Sequence, residues 1–508
     1  MPAPSPRSQK DETYTQELQR WMARQSFWYR LTHSQGSPES RSMFLVVLTI
    51  LGWTVPVFAL GGFGFYVMVQ RYTTSGGFSQ LVEQEVGEYL NLTMPKVAGA
   101  SWKSGVVNIT GISGEGKPEG FVRSVKIASA RIELPFRDLF EEQWGGHSLT
   151  IQGLDLELRG GLLDTAEAAS LAREHAATAD AANAKLRAKG IPTGPYSGKW
   201  WINPDGNTFA TDRVIARNST IRWGLNETNG GRLSGTNLEA SRQDDFWVLR
   251  CTGGEFSQGW LKNALVDELV LEVKANAVVI KKFDFRLKQA DGKQGGDAIG
   301  QGQGMVQLAA APVVELHMDI ADMEINRIIP AEYQRVFAGK FKGKVAMTGS
   351  TVDEDGFTSA FSVQFVPGFG FGVGSAEMFP VLQVLGEAAA DIPVRYIEAK
   401  QGGLTFTLQG KTLKCTGANL LGANGDRIEG SFTFDSDAHT VKGVFRIGVK
   451  PAALAEHPLI KQQFFREETA GLLWLTLPLE GPVGGNTTGM ADEMRTLLRK
   501  ETDNRKDR

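Results

Sequence analysis

The chain has 508 residues, a formal net charge of -3 and 42% hydrophobic residues. The near balance of charge gives no reason to expect a nucleic-acid partner, and the length suffices to bury one or two sizeable cores. Two cysteines, Cys251 and Cys415, are too few for a disulfide scaffold. No C-x-x-C zinc spacing is present. The two thiols read as buried and free, with pairing open only in an oxidising compartment.

The first element in chain order is a membrane span. From Met43 to Val69 the sequence holds no charged residue, and a bilayer core needs only about 20 apolar residues. Trp53, Phe65 and Tyr66 add aromatic character, the last two near the outer interface. Gly52, Pro56 and Gly61 to Gly64 would weaken a soluble helix but are tolerated in lipid. A cleaved signal peptide has a shorter leader and a shorter apolar core. Arg7, Lys10, Arg20, Arg24, Arg30 and Arg41 precede the span, and only Arg71 follows within the next turns. The positive-inside rule then places the N-terminus in the cytoplasm.

Beyond residue 96 the dominant period is two. Leu154, Leu156 and Leu158 alternate with Asp155, Glu157 and Arg159. Phe283, Phe285 and Leu287 alternate with Asp284 and Arg286. Val314, Leu316, Met318 and Ile320 alternate with Glu315, His317 and Asp319. Leu404, Phe406 and Leu408 alternate with Thr405 and Thr407. Each run reads as a strand with one apolar and one polar face. Turn signals such as Asn229-Gly230-Gly231 and Ala423-Asn424-Gly425 separate the runs. No βαβ rhythm appears, so the fold class expected is mainly β: a long antiparallel meander with one N-terminal transmembrane helix and a few short helices.

The helical candidates are Gln80 to Leu90, Asp164 to Lys189 (capped by Asp164 and Glu167 and stopped by Gly190), Met378 to Ala390 and Pro451 to Phe465. The end is a charged, amphipathic or frayed tail. The chain thus divides into a cytoplasmic segment 1–42, a transmembrane helix 43–70, a periplasmic β-rich body 71–485 with a surface helix 164–189, and a charged tail 486–508.

This layout resembles the AsmA-like proteins. The run "GVVNITG" from Gly105 to Gly111, the strand "LTIQGLDLEL" from Leu149 to Leu158, the stretch Ala321 to Ser350 and the late "LLWLTLPLEGPVGG" from Leu472 to Gly485 carry the likeness. The resemblance implies an inner-membrane anchor, a periplasmic β body with an apolar groove, membrane lipids as partners, and a part in outer-membrane biogenesis or homeostasis. Groove-lining candidates are Leu154, Leu156, Leu158, Phe283, Phe285, Leu316, Met318, Leu404, Phe406, Phe432 and Phe434. The same residues also suit an ordinary closed core. The alternative function is a non-catalytic envelope scaffold whose β domain binds another envelope protein.

Residue chemistry points away from an enzyme, and no cofactor or metal is expected. The six histidines include no H-E-x-x-H and no close pair. No G-x-S-x-G elbow occurs. The run "GFGFGVG" from Gly368 lacks phosphate-loop spacing and reads as a strand or loop packing aromatics. Asp353, Glu354 and Asp355 lack the distal Glu of a calcium loop.

Overall fold

The computed structural model describes residues 51–90, 92–116, 122–135, 144–146, 148–159, 209–224, 230–243, 246–274, 277–287, 298–307, 312–327, 337–350, 357–366, 370–371, 380–388, 397–422, 425–482 and 487–506, the backbone of 38–50, and six positions between 14 and 24. The surface helix expected at 164–189, the Asp353 to Asp355 turn and most of the Gly368 to Gly374 run lie outside the described residues. The chain forms two compact units, Met1–Thr73 and Thr74–Arg508.

The first unit carries helix α1, Pro38–Thr73. Its stretch Gly52–Thr73 is long and apolar enough to cross a membrane, and its apolar window is nowhere buried. Trp53, Phe58, Leu60 and Phe63 all point outward. A core helix of a soluble protein would hide these side chains, so their exposure is consistent with a single-pass membrane anchor.

The second unit is mainly β. After helix α2, Gly76–Tyr89, come β1 Lys96–Lys103, β2 Val106–Glu115, β3 Val122–Glu133, β4 Trp144–Gly146, β5 Leu149–Leu158, β6 Phe209–Thr211, β7 Arg213–Trp223 and β8 Gly231–Gln243. The middle comprises β9 Phe246–Thr252, β10 Glu255–Gln258, β11 Leu261–Val273, β12 Ala277–Leu287, β13 Ala298–Gln307, β14 Val313–Glu324, β15 Phe337–Ala338, β16 Lys340–Ser350, β17 Phe357–Phe365 and β18 Gly370–Phe371. Helix α3, Pro380–Ala388, leads to β19 Ile397–Gln409, β20 Thr412–Gly422, β21 Arg427–Asp435 and β22 Thr440–Val449. Helix α4, Pro458–Phe464, β23 Glu467–Thr469, β24 Leu472–Pro482 and helix α5, Thr488–Lys506, complete it.

Among the described residues 22 strands join one sheet, and β4 and β6 form a separate parallel pair. Sequential hairpin pairing runs through most of the large sheet, as in β11–β12–β13–β14 and β19–β20–β21–β22. One step departs from the expected antiparallel meander. β5 pairs β7 in parallel, Leu149 opposite Val214 and Glu157 opposite Arg222. A parallel pair needs a long crossover, and the stretch between Leu158 and Arg213 supplies the length.

The one-sided alternation expected of β14 is realised: Val314, Leu316, Met318 and Ile320 are buried while Glu315, His317 and Asp319 are exposed. On the outer face, charges pair across strands. Arg286 grips Asp267 through two guanidinium nitrogens at 2.7 and 2.9 Å, and Lys282 reaches both Glu268 and Asp284 at 2.7 Å. The Lys282 hydrogen bond holds the Glu268 carboxyl below its ordinary range.

The edge strand β1 is protected. Ser79 Oγ and Glu83 Oε2, one turn apart on α2, accept the backbone N–H groups of Ala100 and Val97, each at 3.2 Å. An uncovered row of such donors invites pairing with another chain. At the other end of the body, α5 is folded and amphipathic: Ala491 and Met494 are fully buried. The tail expected over 486–508 therefore forms a helix to Lys506 that packs on the body as far as Glu501.

Candidate functional site

The sheet curls until its inward face meets itself. Trp260, at the β10–β11 turn, and Phe361, on β17, lie five strand steps apart through β12, β13, β14 and β16. In a flat sheet that is about 24 Å. Their ring centroids are 5.1 Å apart, and Trp260 Nε1 donates to Ser359 Oγ at 3.0 Å. Phe361 in turn stacks on Phe406 at 4.4 Å with the rings within 4° of parallel.

Within this curl an apolar cavity of about 320 Å³ runs along the inward faces of β3 to β16. Its wall includes Val125 and Ile127 on β3, Leu154, Leu156 and Leu158 on β5, Val214 and Ile221 on β7, Leu249 and Cys251 on β9, Leu269, Leu271 and Val273 on β11, and Leu316 and Met347 from β14 and β16. Leu90, just after α2, also contributes. A volume of this size sits at the small end of the roughly 300–1,000 Å³ range of ligand pockets. Burial in this wall pushes the Cys251 thiol up to about 12, which registers how apolar the surroundings are.

The candidate lining residues divide. Leu154, Leu156, Leu158, Phe283 and Leu316 line the cavity. Phe285, Met318 and Phe406 are buried core residues outside its wall. Leu404, Phe432 and Phe434 also lie outside it, on the strands beyond β17. Phe434 is buried, and Leu404 and Phe432 are half-buried against the core. Period two reports which face a side chain takes and not what that face meets. Phe285 packs on Phe283 with ring centroids 4.7 Å apart, and Phe406 stacks on Phe361.

Two polar groups in the wall were not singled out from sequence. Gln258 and Arg159 are the amide and the guanidinium among the lining residues. Gln258 owes its inward aim to Gly253 and Gly254. In β9, Trp247, Leu249 and Cys251 face inward. Gly253 and Gly254 then adopt φ of 69° and 89°, and a Cβ on Gly254 would sit 2.5 Å from the Ser234 carbonyl oxygen. This double-glycine break shifts the inward parity from odd to even residues, so Phe256 and Gln258 point in. The two-residue turn at Gly259-Trp260 then closes the hairpin, with Gly259 at φ 56°.

The cavity's flank at this hairpin is aromatic. Phe256 contacts Trp223 at 5.8 Å and Phe283 at 5.0 Å between centroids. Gly231 on β8 leaves room for the Trp223 indole, which would meet a Cβ there at 2.3 Å. Both cysteines are free and buried, and burial pushes the Cys415 thiol up to about 11. Among the described residues no group of three His, Cys, Asp or Glu side chains is placed to hold a metal ion. No family model, curated protein or solved structure matches the chain.

Proposed function

We propose that this chain is a membrane-anchored lipid-binding protein of the bacterial envelope, with α1 in the inner membrane, the N-terminus in the cytoplasm and the β body in the periplasm. The orientation rests on the arginines and lysine ahead of the span. The binding role rests on one observation: a cavity whose wall is almost wholly aliphatic and aromatic and is drawn from many consecutive strands. An acyl chain is the ligand that such a wall rewards, since each methylene withdrawn from water contributes about 0.8 kcal/mol. Along β7, Val214 and Trp223 both line the cavity and stand nine residues apart, a span of at most roughly 30 Å at about 3.3 Å per residue, shortened by the register breaks around Asn218. One leaflet of a bilayer core is about 15 Å thick, so the wall accommodates a chain lying along the strands. With the layout that resembles AsmA-like proteins, this supports a part in holding or passing lipid for outer-membrane upkeep.

The test is photo-crosslinking in living cells. A benzophenone amino acid at Leu271, inside the wall, should capture phospholipid or fatty acid detectable by mass spectrometry, whereas one at Glu315, on the outer face of β14, should not. Equal labelling at both positions, or none at Leu271, would overturn the reading.

A further inference from the structure

The wall of the cavity is apolar except at one end, and that end carries a hydrogen-bond donor with no partner. Gln258 is only 6% exposed, and its Nε2 is buried without a hydrogen-bond partner among the described residues. The side chain lines the cavity. Leaving an amide donor buried and unpaired destabilises the fold. A leucine or methionine here would fill the same space without that cost. An amide at this point gains its bond when something carrying an acceptor oxygen enters.

Strand register fixes where this donor lies. Glu157 pairs with Arg222, the next residue Trp223 with Gly231, and Gly231 with Gln258. Leu158, Trp223 and Gln258 thus fall on one row across β5, β7, β8 and β10, with Arg159 one residue beyond it. Arg159 lines the same cavity, and its guanidinium donates to the Gly116 carbonyl at 3.3 Å. Both polar groups of the wall are therefore gathered at the hairpin end. The opposite end is formed by Leu249, Val273, Val278, Val306 and Val314, all aliphatic.

We infer that Gln258 is the head-end anchor of an acyl lipid: its Nε2–H donates to the acyl carbonyl oxygen, and the hydrocarbon chain runs from the β10–β11 hairpin toward Val273 and Val306. This rests on the reading of the cavity as a lipid site and gives it a direction. The shared chemistry is a carbonyl oxygen on a long chain, which a free fatty acid supplies as carboxylate and a glycerolipid as ester. Arg159 adds a positive charge beside that end, favouring the carboxylate. Trp260, on the same hairpin, packs away from the cavity onto Phe361, so the turn is held in place from its far side.

The experiment uses the full chain in an amphipathic-polymer belt, wild type and Gln258→Met. Displacement of cis-parinaric acid is measured with palmitate, 1-palmitoyl-lysophosphatidylglycerol and hexadecane, against a blank of polymer alone. The variant should lose about tenfold or more in affinity for the carbonyl-bearing ligands, the size of one hydrogen bond to an anchored oxygen. The probe's own carboxylate loses the same bond, so its affinity is measured first in each protein; the hexadecane affinity worked out from displacement should then be equal in both. A loss confined to palmitate identifies a fatty acid; a loss for both palmitate and the lysolipid identifies the acyl carbonyl in either form. The ligand-free variant should melt at a higher temperature, because the unpaired donor is gone. Unchanged palmitate affinity overturns the proposal. So does a lower melting temperature or failure to fold, since either would mean that Gln258 has a partner inside the protein. Failure of the lipid reading itself looks different: none of the three ligands, hexadecane included, would displace the probe from wild type.

Discussion

Phe406 and Leu271 are both apolar inward-facing strand residues, and the structure gives them opposite jobs. Phe406 is 1% exposed and stacked on Phe361. Phe406→Ala opens a hole in a filled region, which costs about 3–5 kcal/mol; about 0.5–1.5 kcal/mol of that is the ring pairing. Leu271 is half-buried and already borders the cavity. Leu271→Ala creates no new void, so only the transfer contribution is lost. Three methylene equivalents, half withdrawn from water, amount to about 1 kcal/mol. Urea unfolding of the full chain, followed by tryptophan fluorescence, measures both; the slopes must agree with wild type for the comparison to hold. Trp260, 5.1 Å from Phe361, reports on the Phe406 region directly. Lipid capture should rank the other way, falling in Leu271→Ala and persisting in Phe406→Ala at low denaturant. Equal losses of more than about 3 kcal/mol in both variants would mean that the cavity is packed shut. A loss below about 1 kcal/mol in Phe406→Ala would refute the division of the inward face into filled and open parts.

Three further outcomes are expected. Burial holds the Asp426 carboxyl above its ordinary range, opposed by a backbone hydrogen bond and by Lys450; a raised acid favours the folded state when protonated, so its contribution is full below the ordinary aspartate range and is lost as pH rises through the raised value. Asp426→Asn should therefore raise the melting temperature at neutral pH and leave it little changed in acid. Glu501 is buried and accepts the backbone N–H groups of Leu459 and Ile460 at the start of α4, with His457 Nδ1 at 3.1 Å; Glu501→Ala should cost about 1–3 kcal/mol in urea unfolding and expose α5 to limited proteolysis. The Cys251 thiol, pushed up to about 12, presents roughly one part in ten thousand as thiolate at pH 8. Iodoacetamide should leave it unmodified in the native protein and label it once urea is added; rapid native labelling would show that the wall opens.

The strands were legible because period two survives any arrangement that wets one face. β5 coincides with the alternating run Leu149 to Leu158, and the apolar face of β14 is the one that the sequence marks. What period two does not encode is what a face meets. Leu316 and Phe406 carry the same local pattern, yet one borders open space and the other is stacked shut. The parallel step from β5 to β7 was equally invisible, since the residues that make the crossover possible contribute no alternation. Arg159 followed Asp155 and Glu157 onto the polar face by parity, but at a strand end a long side chain can lay its apolar stem along the cavity while its head bonds elsewhere, here the Gly116 carbonyl. Gln258 had a usable signal. A Gly-Gly pair inside a strand marks a bulge, and a bulge resets parity; counting by two from Phe256 rather than from Cys251 puts the amide inward. A polar residue that lands on an apolar face only after such a reset is a poor choice for stability. Its place at the end of the cavity is where a ligand's one polar group would need it.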